Sequence, residues 1–138
     1  MVRAGGGVMQ RAGLAMAVLV AGGVSAAIDD PIKVPSGQPV TFQEMIWDEP
    51  GQGLTYRFRF VAPEIGQAGR GFEDVMGDME YLCNTYAVPR LAATGPVPNQ
   101  IVISLSNAPS EFGVADPDIT MFFEAYTLQD GTCIWEMF

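Results

Sequence analysis

The sequence predicts an α+β domain: a mainly antiparallel sheet of about five strands, in the order ββαβββ, covered by one amphipathic helix. Two patterns carry this reading. In residues 54–61, Leu54, Tyr56, Phe58 and Phe60 alternate with Thr55, Arg57 and Arg59, the period of two expected of a strand with one apolar face. Further on, Phe72, Val75, Met76, Met79, Leu82, Cys83 and Tyr86 recur at the i, i+3, i+4, i+7 spacing of one helical stripe.

The elements follow in order. Residues 28–39 contain Pro31, Pro35, Gly37 and Pro39 and read as an extended lead-in to a single domain over residues 40–138. Val40 to Asp48 is a first strand. The turn at Glu49-Pro50-Gly51-Gln52-Gly53 joins it to the alternating strand as an antiparallel hairpin. A loop with Pro63, Gly66, Gly69 and Gly71 leads to the helix, expected from Phe72 to about Asn84. Glu73 and Asp74 sit in its first turn, where the helix dipole favours negative charge. Val88-Pro89 is expected to forbid further helix, because proline lacks the amide donor and restrains its predecessor. Ile101 to Leu105 is a short apolar run read as a buried strand, and Asn107 to Pro117 is a long irregular stretch centred on Phe112. Thr120 to Leu128 is a strand, and Gln129-Asp130-Gly131 turns it into a last strand from Thr132 to Trp135.

Ahead of the domain, Arg3 and Arg11 precede an uncharged apolar run beginning at Leu14, which closes on the small residues Ser25-Ala26-Ala27. This is the pattern of a secretory signal peptide over residues 1–27. The run is about 12 residues, short of the roughly 20 needed to span a bilayer, so no stable membrane anchor is expected after its removal. The mature protein is expected to begin at Ala27 or Ile28 and to reside in the periplasm.

The net charge of the whole chain is -9, and export sharpens it. Without Arg3 and Arg11, five basic residues stand against 16 acidic ones, a balance near -11. Such a charge repels nucleic acid, whose binding relies on Lys and Arg neutralising phosphates; it favours solubility, with a basic partner as the sharper alternative. The two cysteines, Cys83 and Cys133, both lie in the exported part. In an oxidising compartment such a pair reads as a disulfide. Cys83 falls on the apolar stripe of the helix, positioned to tether it to the sheet.

Histidine is absent, which removes Ser-His-Asp and Cys-His triads and the imidazole sites of zinc and copper. No cofactor and no metal are expected. Carboxylate chemistry remains: Glu44, Asp48, Glu124 and Glu136 lie on or beside strands, and a small carboxylate-dependent hydrolase would need two of them facing across a cleft. A calcium-dependent binding module is a further alternative, through Asp116, Asp118 and Asp130, although the loop pattern of alternating acids with a central glycine is missing. Arg57 and Arg59 share one strand face, suited to an anion or a partner carboxylate, or to pairing with Glu44 or Glu124 on neighbouring strands. Glu73, Asp74, Asp78 and Glu80 make a candidate acidic surface on the helix. Trp47, Trp135, Phe122, Phe123, Tyr126 and Phe138 supply aromatic bulk, which would mark an interface where exposed together.

The stretches VPSGQPVTFQEMIWDEPGQGLTYRFRFVAPEI, DMEYLCNTYAVPRL, QIVISLS and FFEAYTLQDGTCIWEMF resemble a family of small exported proteins of unknown function in Rhodobacter-like alphaproteobacteria. The contexts of Cys83 and Cys133 are the most specific parts of the likeness. Members of that family sometimes carry the label acetolactate synthase. Such a synthase is a large thiamine-diphosphate enzyme, and one acidic domain of this length cannot hold its cofactor site. The resemblance implies export and a shared fold and transfers no catalytic residue. Together these features point to a non-catalytic binding or accessory protein with a protein partner in the cell envelope.

Overall fold

The computed structural model describes residues 30–51, 53–66 and 70–137; the signal peptide expected over residues 1–27 and the aromatic Phe138 lie outside them. Five strands form one sheet in sequential order: β1 (Thr41–Asp48), β2 (Thr55–Val61), β3 (Gln100–Ser106), β4 (Met121–Gln129) and β5 (Thr132–Trp135). β1 pairs with β2, β3 with β4 and β4 with β5 antiparallel, whereas β2 and β3 run parallel. The parallel pair needs a crossover to return the chain to the starting edge. The helical segment supplies it.

Residues directly opposite each other on neighbouring strands share a sheet face, and the register therefore sorts the side chains. Tyr56, Phe58 and Phe60 stand opposite Ile101, Ile103 and Leu105, and all six are buried together with Val75, Met79, Leu82, Cys83 and Ala87 of the helical segment. This is the helix face. Arg57 and Arg59 stand opposite Val102 and Ser104 on the other face, and Ser104 is followed across the sheet by Phe123. Each fully buried aliphatic or aromatic side chain on the helix face contributes about 1.5–3 kcal/mol relative to exposure.

β1 carries a bulge between Phe42 and Glu44. Phe42 lies opposite Phe60 and Glu44 opposite Arg59, so Gln43 is the extra residue. Without it, regular alternation would set Glu44 opposite Phe58, facing the core. The insertion re-aims one side chain, as bulges do, and delivers Glu44 to the arginine face.

The helix starts as expected and does not stop as expected. α1 (Phe72–Leu82) is followed without a break by a π-helical turn (Cys83–Ala87) and by α2 (Val88–Thr94). Helix therefore runs through Val88-Pro89, against the sequence expectation. The reason is local: the Val88 amide bonds to the Cys83 carbonyl, five residues back, and Pro89 falls in the first turn of α2. A proline there gives up an amide that a new helix start leaves unbonded in any case, and the wider turn before it relieves the clash with the preceding carbonyls. α1 touches β3 and β4, while Tyr86 of the π turn packs its ring against Phe42, Phe58 and Phe60 with centroids 5.0–6.5 Å away. Contact with the sheet is thus divided along the helical run.

Cys83 and Cys133 have their sulfur atoms 2.05 Å apart, at disulfide bonding distance. Beside them the Cys133 amide donates to Asn84 Oδ1 at 2.9 Å, so the π turn is fastened to β5 twice. The β4–β5 turn is Asp130-Gly131, with φ of 53° and 77° between the paired Gln129 and Thr132. Two successive left-handed residues match the twist of the strands they join.

Residues from Pro31 onward belong to the same compact unit as the sheet. Ile32 bridges Val40, Val34 is buried, and Gln38 is 2% exposed. Ser36 and Gln38 bond to Asp78 on α1, which binds this end of the lead-in to the domain.

Candidate functional site

The arginine face is closed over in part by the segment after β3. Ser110 is its pin: Gln43 Nε2 donates to the Ser110 carbonyl at 2.8 Å, and an Arg59 Nη donates to Ser110 Oγ at 3.0 Å. Phe112, two residues on, is set with its ring centroid 5.5 Å from the guanidinium carbon of both Arg57 and Arg59. Between this segment and the sheet lies a cavity of about 390 Å³, with Val102, Met121 and Phe123 on the sheet side and Phe112, Val114 and Ala115 opposite. That volume falls within the size range of small-ligand and side-chain pockets.

The two arginines expected as an anion or partner contact are thus brought together in one pocket, each with a carboxylate of β1. Arg57 Nε donates to Asp48 Oδ1 at 3.2 Å, and Arg59 pairs with Glu44. Arg59 is only 5% exposed, so its charge is held inside the protein by Glu44, Ser110 and the Phe112 ring. The bulge at Gln43 makes this pair possible, and no local sequence signal shows where that bulge falls.

The four acids of the candidate acidic surface do not stay together. Glu73, Asp74 and Glu80 are exposed, but Asp78 is buried at 1% exposure. It lies between Val75 and Leu82 on the inward stripe and accepts from the Ser36 amide, the Ser36 hydroxyl and Gln38 Nε2. Three donors from one segment replace the water that a buried carboxylate loses. Asp74 instead reaches back to the Gly71 amide at the start of the helix, at 3.3 Å.

The strand carboxylates are also separated. Glu44 and Asp48 serve the arginines, Glu124 stands opposite Ile103 on the helix face, and Glu136 accepts from Gln100 Nε2 at 2.9 Å. Asp116 Oδ1 accepts from the Asp118 amide at 2.9 Å, a turn role, and among the described residues no cluster of three metal-ligating side chains occurs. Of the aromatic set, Tyr126 is buried, Phe123 belongs to the arginine-face pocket, and Trp47 and Trp135 are exposed on strands at opposite edges of the sheet.

A family model described as a family of unknown function, DUF6497, matches residues 14–138. The chain belongs to the DUF6497 family. The match takes in every strand and helix described above, so this fold, with its cysteine pair, describes a DUF6497 domain. Comparison with curated proteins and with solved structures gives no match. Among the described residues of this DUF6497 member, no helix is long and apolar enough to cross a membrane.

Proposed function

We propose that this DUF6497 member is exported to the periplasm and acts there as a non-catalytic binding or accessory protein, whose partner in the cell envelope docks on the arginine face. The observation that carries the reading is the pocket rim: Phe112, Val114, Met121 and Phe123 are 44%, 57%, 48% and 55% exposed around one cavity. Adjacent apolar side chains left in water mark an interaction surface, and aromatic side chains beside arginine are the composition of binding hot spots. Since Glu44 and Asp48 neutralise the two guanidinium groups, the pocket offers shape and apolar area more than free positive charge. An apolar side chain of a protein partner fits that offer.

Export is supported by the Arg-flanked apolar run at the N-terminus and by the Cys83–Cys133 pair, whose bond persists in oxidising compartments. The test is site-specific photocrosslinking in cells, with the crosslinker at Phe123 or, as a control on the helical segment, at Arg90. A discrete adduct from Phe123 alone, recovered in the periplasmic fraction, is the expected result. Equal labelling from both positions, or free monomer only, counts against the docking surface. Mass spectrometry of the recovered protein checks export directly, with the first residue expected at Ala27 or Ile28.

A further inference from the structure

On the helix face, away from the arginine pocket, a second and smaller cavity of about 160 Å³ opens between α1 and the β4–β5 hairpin, lined by Met76, Gly77, Glu80, Glu124, Tyr126 and Trp135. Its chemistry is one-sided. Glu124 is 7% exposed, accepts from Trp135 Nε1 at 2.8 Å, and has no cationic partner among the described residues. Arg57, Arg59 and Arg70 are bound to Asp48, Glu44 and Glu64, and Arg90 lies over the Tyr86 ring. Buried charges are ordinarily paired. Among the described residues no ion pair supplies that partner to Glu124.

A second observation points the same way. Tyr126 is 1% exposed and lines this cavity, and its hydroxyl, with no hydrogen bond to a described residue, is open to the cavity and not sealed in the core. Burial, together with the negative charges of Glu124 and Glu80, pushes its ionisation above the usual tyrosine range. Glycine at residue 77, inside α1, completes the opening. A Cβ built there meets nothing within 4 Å, so packing does not require glycine, although glycine weakens a helix by about 1 kcal/mol relative to alanine.

We propose that this cup binds a protonated amine, an alkylammonium group presented either by a free small molecule or by a lysine side chain. An ammonium carries three donors and no acceptor. Glu124, with one oxygen already oriented by Trp135, accepts one of them, the Tyr126 hydroxyl accepts a second, and Glu80 at the rim adds charge. The Tyr126 and Trp135 rings and Met76 enclose the attached methylenes, and aromatic walls favour a cation. At about 160 Å³, the cavity has room for an ammonium group and a short stem. Two carboxylates and a phenol form a poorer set for a metal ion, which takes more oxygen ligands.

The test is a titration of the purified exported protein, followed by amide NMR shifts and by tryptophan fluorescence, with n-butylammonium, n-butanol and Nα-acetyl-lysine amide as probes. Saturable shifts around Trp135 and Tyr126 with butylammonium, and none with butanol, are expected. Glu124→Gln should weaken binding at least tenfold. Gly77→Leu, which fills the mouth from a position with open space, should abolish binding in a folded protein, while Val97→Ser, at an exposed position outside both cavities, should leave it unchanged. Tighter binding of the lysine derivative than of butylammonium assigns the cup to a partner's lysine; equal or weaker binding assigns it to a free amine. Equal responses to butanol and butylammonium, no saturable response to either amine, or binding indifferent to both Glu124→Gln and Gly77→Leu would overturn the proposal. Because the arginine-face pocket is not involved, its failure as a docking surface leaves this result standing.

Discussion

Asp78 on α1 and Ser36 on the segment ahead of β1, 42 residues apart in sequence, are joined by two hydrogen bonds: the Ser36 amide donates to Asp78 Oδ1 at 2.9 Å and the Ser36 hydroxyl to Oδ2 at 2.5 Å. Gln38 Nε2 adds a third at 2.8 Å. A charge buried this way is a structural commitment, since removing it strands three donors.

Asp78→Ala is expected to destabilise the domain by about 2–4 kcal/mol, the loss of hydrogen bonds to a charged acceptor together with the desolvation cost of donors left unpaired. Urea unfolding checks it. Glu73→Ala, at an exposed position of the same helix, should change stability by less than about 0.5 kcal/mol.

Reduction of the Cys83–Cys133 pair, or Cys83→Ala with Cys133→Ala, should cost about 4 kcal/mol in the chain-entropy account for a closed loop of this size, the sequence separation being 50. Unfolding curves with and without reductant give the value. No change on reduction would show that the sulfur atoms are not bonded in solution.

Arg59→Ala should destabilise more than Arg57→Ala. The Arg59 side chain is 6% exposed and its loss leaves Glu44 without a partner, whereas Arg57 is 25% exposed and pairs with Asp48 nearer to water. The expected costs are about 2–3 kcal/mol for the first and under about 1 kcal/mol for the second. Denaturant melts of the two single variants compare them.

Tyr126 ties stability to alkaline pH. Its ionisation in the folded protein lies above the ordinary value of 10.0, chiefly through burial and then through Glu124 and Glu80. The folded state therefore holds this proton after the unfolded chain has released it, and the linkage sign makes stability fall with rising pH. The contribution is complete below pH 10 and is lost progressively above it. Tyr126→Phe should flatten that part of the stability profile, measured by denaturation between pH 9 and pH 11.

Gly131→Val tests the β4–β5 turn. With φ at 77°, a β-branched residue there should cost about 1–2 kcal/mol, read as a lower midpoint in thermal unfolding. Asp130→Gly, at φ 53°, should be tolerated, since glycine takes that conformation freely.

What could be read in advance followed from local chemistry. The alternation of Tyr56, Phe58 and Phe60 with Arg57 and Arg59, the stripe from Phe72 to Leu82 and the Asp-Gly turn each state their conformation within a few residues. The helix past Pro89 was hidden because a π turn, and not a sequence break, absorbs the proline. The site was half visible: Arg57 and Arg59 stand out as paired cations, but Phe112, Met121 and Phe123 join them only across the sheet.

Local chemistry settles the strands and their hairpins, the start of the helix and the inward position of Cys83, and Cys133 is the other cysteine of the sequence. Periodicity, turn residues and cysteine count are properties of short segments or of the whole list, and they need no tertiary context. The tertiary structure alone decided the parallel pairing of β2 with β3, the bulge that turns Glu44 toward Arg59, the burial of Asp78 under Ser36, and the separation of the carboxylates onto two faces. Each of these joins residues distant in the chain, and its free energy comes from contacts that exist only once the core around Phe58, Phe60, Ile103 and Met79 has closed.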